Sequence, residues 1–102
     1  MNILIVEDND IQLQSLYKIL SEKYTEDSFT YMLADNYDEA ICIINTNNID
    51  IFILDIALGD NPNGGIDIAR FIRFKKNMPY TPIIFITSIA TQITTALNEL
   101  HC

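Results

Sequence analysis

Short apolar runs alternate with longer stretches in which apolar residues recur every three or four positions, and the alternation repeats four times. Asn2 to Val6 is an apolar run with β-branched residues, ended abruptly by Glu7-Asp8-Asn9-Asp10. It predicts a buried strand followed by an acidic loop, with Asn9 or Asp10 capping the next helix. Leu13, Leu16, Tyr17, Leu20 and Tyr24 then recur at helical spacing and predict an amphipathic helix ending near Lys23. From Ser28 to Ala34, Phe29, Tyr31 and Leu33 alternate with Thr30 and Met32, the pattern of an edge strand with one apolar face. Asn36 precedes Glu39 by three in capping-box fashion, and Tyr37, Ala40, Ile41 and Ile44 share one side of a second helix closed by Thr46-Asn47-Asn48.

Ile51 to Leu54 is an unbroken run of large apolar residues. It suits a central strand buried on both faces, although so short a run also fits a piece of buried helix. Gly59-Asp60-Asn61-Pro62-Asn63-Gly64-Gly65 is the strongest turn signal in the chain. A helical pattern resumes from Ile66 to Lys76 through Ile68, Ala69 and Ile72, and Asn77, Pro79 and Pro82 then break it. Pro82 to Ile86 predicts a fourth strand, followed by Thr87-Ser88, and Ile89, Ile93, Ala96, Leu97 and Leu100 fall on one side of a last helix. The order β-α-β-α-β-α-β-α argues for a parallel sheet with right-handed crossovers and helices on both faces.

Length and composition narrow the function classes. At 102 residues with 49% hydrophobic content the chain reads as one small folded domain. Its net charge of -8 sets fourteen acids against six bases, and Arg70, Arg73, Lys75 and Lys76 crowd into one helix as a solvated face. So acidic a surface repels nucleic acid and favours divalent cations and basic partners. Cys42 and Cys102 match no metal spacing and read as free thiols of a reducing cytoplasm, Cys42 as a small hydrophobe on a helix. No run is long and apolar enough for a spanning helix, and the N-terminus lacks the basic region of a signal peptide.

Three features fall at the ends of three strands: Glu7-Asp8, Asp55 and Thr87-Ser88. In open α/β sheets ligands bind beyond the carboxyl ends of the strands, so these side chains would meet in one pocket if the strands are neighbours. Carboxylates packed closely repel unless a cation sits among them or protons are taken up, and an all-oxygen set favours Mg2+. Magnesium beside a carboxylate makes a site for phosphoryl transfer, with Asp55 attacking phosphorus and Thr87, or less well Ser88, hydrogen-bonding a phosphoryl oxygen. Each piece has a plainer reading. Glu7-Asp8 alone suits a helix entry, Asp55 a strand-end cap, and Thr87 or Ser88 an N-cap. His101 reads as a solvated terminal residue, and Tyr17, Phe29, Tyr31 and Phe52 as core or half-buried packing residues.

Ile-Leu-Ile-Val-Glu-Asp-Asn-Asp at 3–10, Ile-Phe-Ile-Leu-Asp-Ile at 51–56, Gly65-Ile66, and Pro-Ile-Ile-Phe-Ile-Thr-Ser at 82–88 stand in the order and spacing of a known family. The chain resembles the receiver domains of two-component response regulators. That resemblance implies a flavodoxin-like (CheY-like) sheet and Asp55 as acceptor of a phosphoryl group from a sensor histidine kinase. It implies Mg2+ held directly by Asp8 and Asp55, with Glu7 acting through water and the backbone carbonyl of Ala57 as a further ligand. Thr87 would be the switch hydroxyl, and the only catalysis would be the domain's own phosphorylation and dephosphorylation. The stretch Leu54 to Arg73 looks most like regulators carrying a LytTR-type DNA-binding domain.

After Ser88 the sequence departs from the family, which has a fifth strand, a Lys-Pro pair and a fifth helix, whereas residues 89–102 include no Lys, Arg or Pro. The expected sheet order is therefore 2-1-3-4 without the fifth strand and helix, and the domain, 1–102, reads as C-terminally incomplete. The apolar edge Ile83 to Ile86 would then lie open, which predicts a homodimer through the fourth strand and fourth helix, or a fragment of a longer regulator reaching an effector domain or promoter DNA through another region. The missing lysine supports an alternative, a degenerate receiver acting as a phosphorylation-independent interaction module. A small aspartyl phosphatase fits less well, because Asp55 is followed by Ile-Ala and not by a second acid two residues on.

Overall fold

The computed structural model describes residues 1–24 and 28–86. The elements run β1 (Asn2–Val6), α1 (Asp10–Lys23), β2 (Thr30–Ala34), α2 (Tyr37–Thr46), β3 (Ile51–Asp55), α3 (Gly64–Arg70) extended by a π-helical turn (Phe71–Lys75), and β4 (Ile83–Ile86). The last helix expected from the sequence lies outside the described residues. The strands form one parallel sheet in the order β2-β1-β3-β4, as the sequence predicts. Val6 pairs with Ala34 and with Leu54, and Asp55 with Ile86, so the strands end on one rim. The chain leaves β1 towards β2 on one side and returns to β3 on the other, which opens a crevice beyond the ends of β1 and β3.

Period-two alternation within each strand divides the core into two layers. Ile3, Ile5 and Ile53 pack with Leu13 of α1 on one face. Leu4, Val6, Phe52 and Leu54 pack on the other with Ala40 and Ile44 of α2 and Ile68 of α3. Phe52, Leu4, Ile5, Leu54, Ile68, Ile72 and Val6 are fully buried. Each such side chain contributes about 1.5–3 kcal/mol of hydrophobic stabilisation, so the centre of the sheet is its most rigid part.

The helix starts follow side-chain chemistry. Asn9 accepts the Gln12 N–H at 3.0 Å and Asn36 the Glu39 N–H at 2.8 Å, which resolves the choice between Asn9 and Asp10 as the cap. Helix α3 differs from its expectation at both ends. It begins two residues early, at Gly64, without a side-chain cap. It ends in a π turn in which the Lys76 N–H donates to the Phe71 carbonyl at 3.0 Å.

Three surface expectations also change. Cys42 is on α2 but exposed, because it faces away from the side that carries Ala40 and Ile44. Tyr17 is 37% exposed, with its ring set edge-on to Tyr31 at 5.8 Å. Arg73 is not a solvated base: its guanidinium donates to the Met78 carbonyl at 2.7 Å in a part-buried position. Among the described residues, no helix is long and apolar enough to cross a membrane.

Candidate functional site

Strand β1 delivers Glu7 and Asp8 to the rim, and β3 delivers Asp55 beside them. Glu7 and Asp55 are buried, at 2% and 5% exposure, and Asp8 is exposed. One oxygen from each carboxylate lies within 4.8 Å of the others. The sequence therefore identified three groups that the fold does bring together. Thr87 and Ser88, the expected hydroxyl partners, lie outside the described residues, and so does His101. Ala57 stands on the same rim, two residues past Asp55.

Local bonds hold the acids in place. The Glu7 N–H continues the β1–β2 ladder to the Ala34 carbonyl at 3.1 Å, while its carboxylate accepts the Asn9 N–H at 3.1 Å. The Asp8 carboxylate accepts the Gly59 N–H at 2.9 Å, which ties the β3–α3 loop to the end of β1. That contact was not anticipated, although the Gly59-Asp60 turn signal marks the loop that makes it. Leu58 and Asn61 exchange both backbone hydrogen bonds across Gly59-Asp60, and Gly59 takes the positive φ of 57° such a tight turn requires. A shallow cleft of about 130 Å3 opens beside Asp8, bordered by Asn36, Tyr37, Leu58 and Gly64.

Helix α3 closes the other side of Asp55. The Gly65 N–H donates to the Ile56 carbonyl at 2.8 Å, and a Cβ on Gly65 would come within 1.9 Å of the Asp55 carbonyl oxygen. Only a glycine lets the helix sit this near the end of β3.

Three acids this close cannot all ionise without cost. Burial, followed by the Asp55 charge, pushes the Glu7 carboxyl up to about 7 against the pull of the Asn9 N–H. Burial also raises Asp55, assisted by the Asp8 charge, while its hydrogen bond with Glu7 opposes the rise. Both carboxyls of the pair are therefore harder to ionise than ordinary ones. Among the described residues no basic side chain pairs with these acids, the salt bridge there joining Arg70 to Asp67 at 3.8 Å. A compact, oxygen-only, uncompensated anionic set matches the needs of a hard divalent cation, so the residues fit Mg2+.

A parallel sheet of this order, with a trio of acids at its switch point, defines a receiver-type signalling module. Residues 3–101 match the response regulator receiver domain family, and the chain belongs to it. It is 29% identical over 100 residues to an NtrX-like response regulator of Rickettsia felis, covering 98% of this chain and 20% of that protein. The chain thus spans about a fifth of the length of the curated relatives it matches. Among solved structures, it resembles the N-terminal domain of a response regulator/sensory box/GGDEF protein from Carboxydothermus hydrogenoformans, with TM-score 0.68, 26% identity and coverage of 85% of this chain and 64% of that one. The non-phosphorylated HemR receiver domain of Leptospira biflexa is similar at TM-score 0.63 and 31% identity, with 87% and 65% covered.

Proposed function

We propose that the chain, 1–102, is the phosphoacceptor part of a response regulator, with Asp55 taking a phosphoryl group from a sensor histidine kinase. The observation that carries this reading is the convergence of Glu7, Asp8 and Asp55 within 4.8 Å at the carboxyl rim of the sheet. An oxygen of Asp55 forms the new bond to phosphorus as the bond from phosphorus to the donor nitrogen breaks, and the nitrogen leaves with the electron pair. Asp8 and Asp55 would hold Mg2+ directly, with Glu7 acting through water and the Ala57 carbonyl completing the set. Mg2+, when bound, neutralises charge on the phosphoryl oxygens. Thr87 donates its hydroxyl to a phosphoryl oxygen in this scheme, and Ser88 is the weaker candidate for the same task.

The signal would pass from this domain to an effector domain and, through it, to promoter DNA in the cytoplasm. The likeness of Leu54 to Arg73 to LytTR-type regulators makes an output of that kind part of the proposal. Homodimerisation through the β4 region is a further part, supported by Ile84 at 51% and Phe85 at 44% exposure on β4, an outer strand of the sheet among the described residues. The test is incubation with acetyl phosphate and Mg2+, read by intact mass. A phosphate-sized gain that vanishes in Asp55→Asn is the expected result. No gain under any condition would sink the proposal and favour the phosphorylation-independent interaction module.

A further inference from the structure

At the opposite rim from the three acids, a cavity of about 230 Å3 opens between the end of α2 and the connection into β4. Ile44, Ile49, Phe52 and Met78 form its apolar part, and residues 45–48 with Lys76 form its larger polar part. Small-molecule sites usually hold about 300–1,000 Å3, so this one is too small for a cofactor and suited to a single large side chain.

The wall that carries Lys76 and Met78 is unusually constrained. Lys76 closes the π turn onto the Phe71 carbonyl, Asn77 adopts a left-handed φ of 53°, and Arg73 grips the Met78 carbonyl. Such departures from regular backbone concentrate at functional positions. The same segment displays Phe74 at 81% and Tyr80 at 94% exposure, beside exposed Lys75 and Lys76. A solvated basic face explains the lysines but not the two uncovered aromatic rings of Phe74 and Tyr80 in the same segment. The local charge is also opposite to that of the whole, since four of six bases gather at Arg70, Arg73, Lys75 and Lys76 in a chain of net charge -8.

We propose that this face docks an acidic peptide segment of a partner protein. One large apolar side chain of that segment enters the cavity, and flanking Asp or Glu residues pair with Lys75 and Lys76. The charge contrast selects the partner, because an acidic segment is repelled by the rest of the chain and attracted here. Anchor and charge together supply what neither supplies alone, since exposed ion pairs contribute little by themselves. This inference does not depend on phosphoryl uptake at Asp55.

The test is amide chemical-shift mapping on the isotope-labelled full chain in about 0.15 M salt, titrated with a short poly-Glu peptide carrying one central Leu. Saturable shifts at 44–49 and 74–78 are expected, with affinity falling about tenfold or more when the central Leu becomes Ala. The shifts should also disappear in Lys75→Glu/Lys76→Glu, whose exposed positions leave the fold intact, as an unchanged melting temperature would verify. Absence of shifts at millimolar peptide, or shifts confined to other regions, would overturn the proposal. So would equal affinity for the Leu and Ala peptides, which would reduce the effect to charge. The same shifts from acetate or inorganic phosphate would replace the peptide by a small anion.

Discussion

Burial of Glu7 gives the fold a pH dependence. The Glu7 carboxyl is pushed up to about 7 in the fold and has an ordinary value of 4.5, so between those values the folded chain holds a proton that the unfolded chain has released. This contribution to stability is full below pH 4.5 and is lost as pH rises through 7. In the presence of a chelator, the melting temperature should therefore drop between about pH 5 and 8, and Glu7→Gln should flatten that part of the profile. Equal profiles for the two proteins would refute the assignment. Asp55→Asn removes one of the crowded charges and is expected to stabilise the metal-free protein by about 1 kcal/mol, or ~4–8 °C in melting temperature. Added Mg2+ should raise the melting temperature of the parent at pH 8 and leave that of Asp55→Asn nearly unchanged. The positions of these acids were legible in the sequence because an acidic residue directly after an apolar run has one place to go, the rim. The raised titration of Glu7 was not, because it depends on how deeply the neighbouring elements bury the carboxyl.

Helix α3 shows how far periodicity reads an element and where it stops. Apolar spacing placed Ile68 and Ile72 on the inner face, and both are fully buried. The same spacing started the helix at Ile66, because glycines count as breakers unless something must come close to them. Gly65 lies in the first turn because the end of β3 leaves no room for a Cβ. The π turn was equally invisible, since one extra residue in the last turn moves no apolar position enough to break the pattern. Two glycines in this region should respond differently to the same change. Gly65→Ala drives a methyl into the Asp55 backbone and should cost about 3 kcal/mol or more in chemical denaturation. Gly59→Ala meets nothing within 4 Å and should cost only about 1–2 kcal/mol, from its left-handed φ of 57°. A reversed order of the two would contradict the packing of α3 on β3.

For the whole molecule, the alternation of strand and helix patterns was sufficient to give the parallel sheet and, with the motif resemblance, the order β2-β1-β3-β4. Buried strands and amphipathic helices leave distinct periods, and crossover handedness permits few arrangements of them. The loops were less legible, since the Gly59 contact with Asp8 and the Arg73 contact with Met78 follow from three-dimensional proximity. Along β4, Ile84 and Phe85 present apolar surface that a partner strand would cover. For the proposed homodimer, Ile84→Lys should shift the protein towards monomer in sedimentation, and a parent already monomeric at high concentration would refute that dimer.

Because the strands all run the same way, the carboxylate trio and the aromatic-basic face occupy opposite ends of the same ribbons. Five residues of extended chain separate them by about 16 Å, roughly two screening lengths at physiological salt, so charge at one end is scarcely felt at the other. A kinase phosphodonor and an acidic peptide would then not compete for space, and a three-component assembly is sterically open. Occupancy at either end should be countable by titration without first emptying the other.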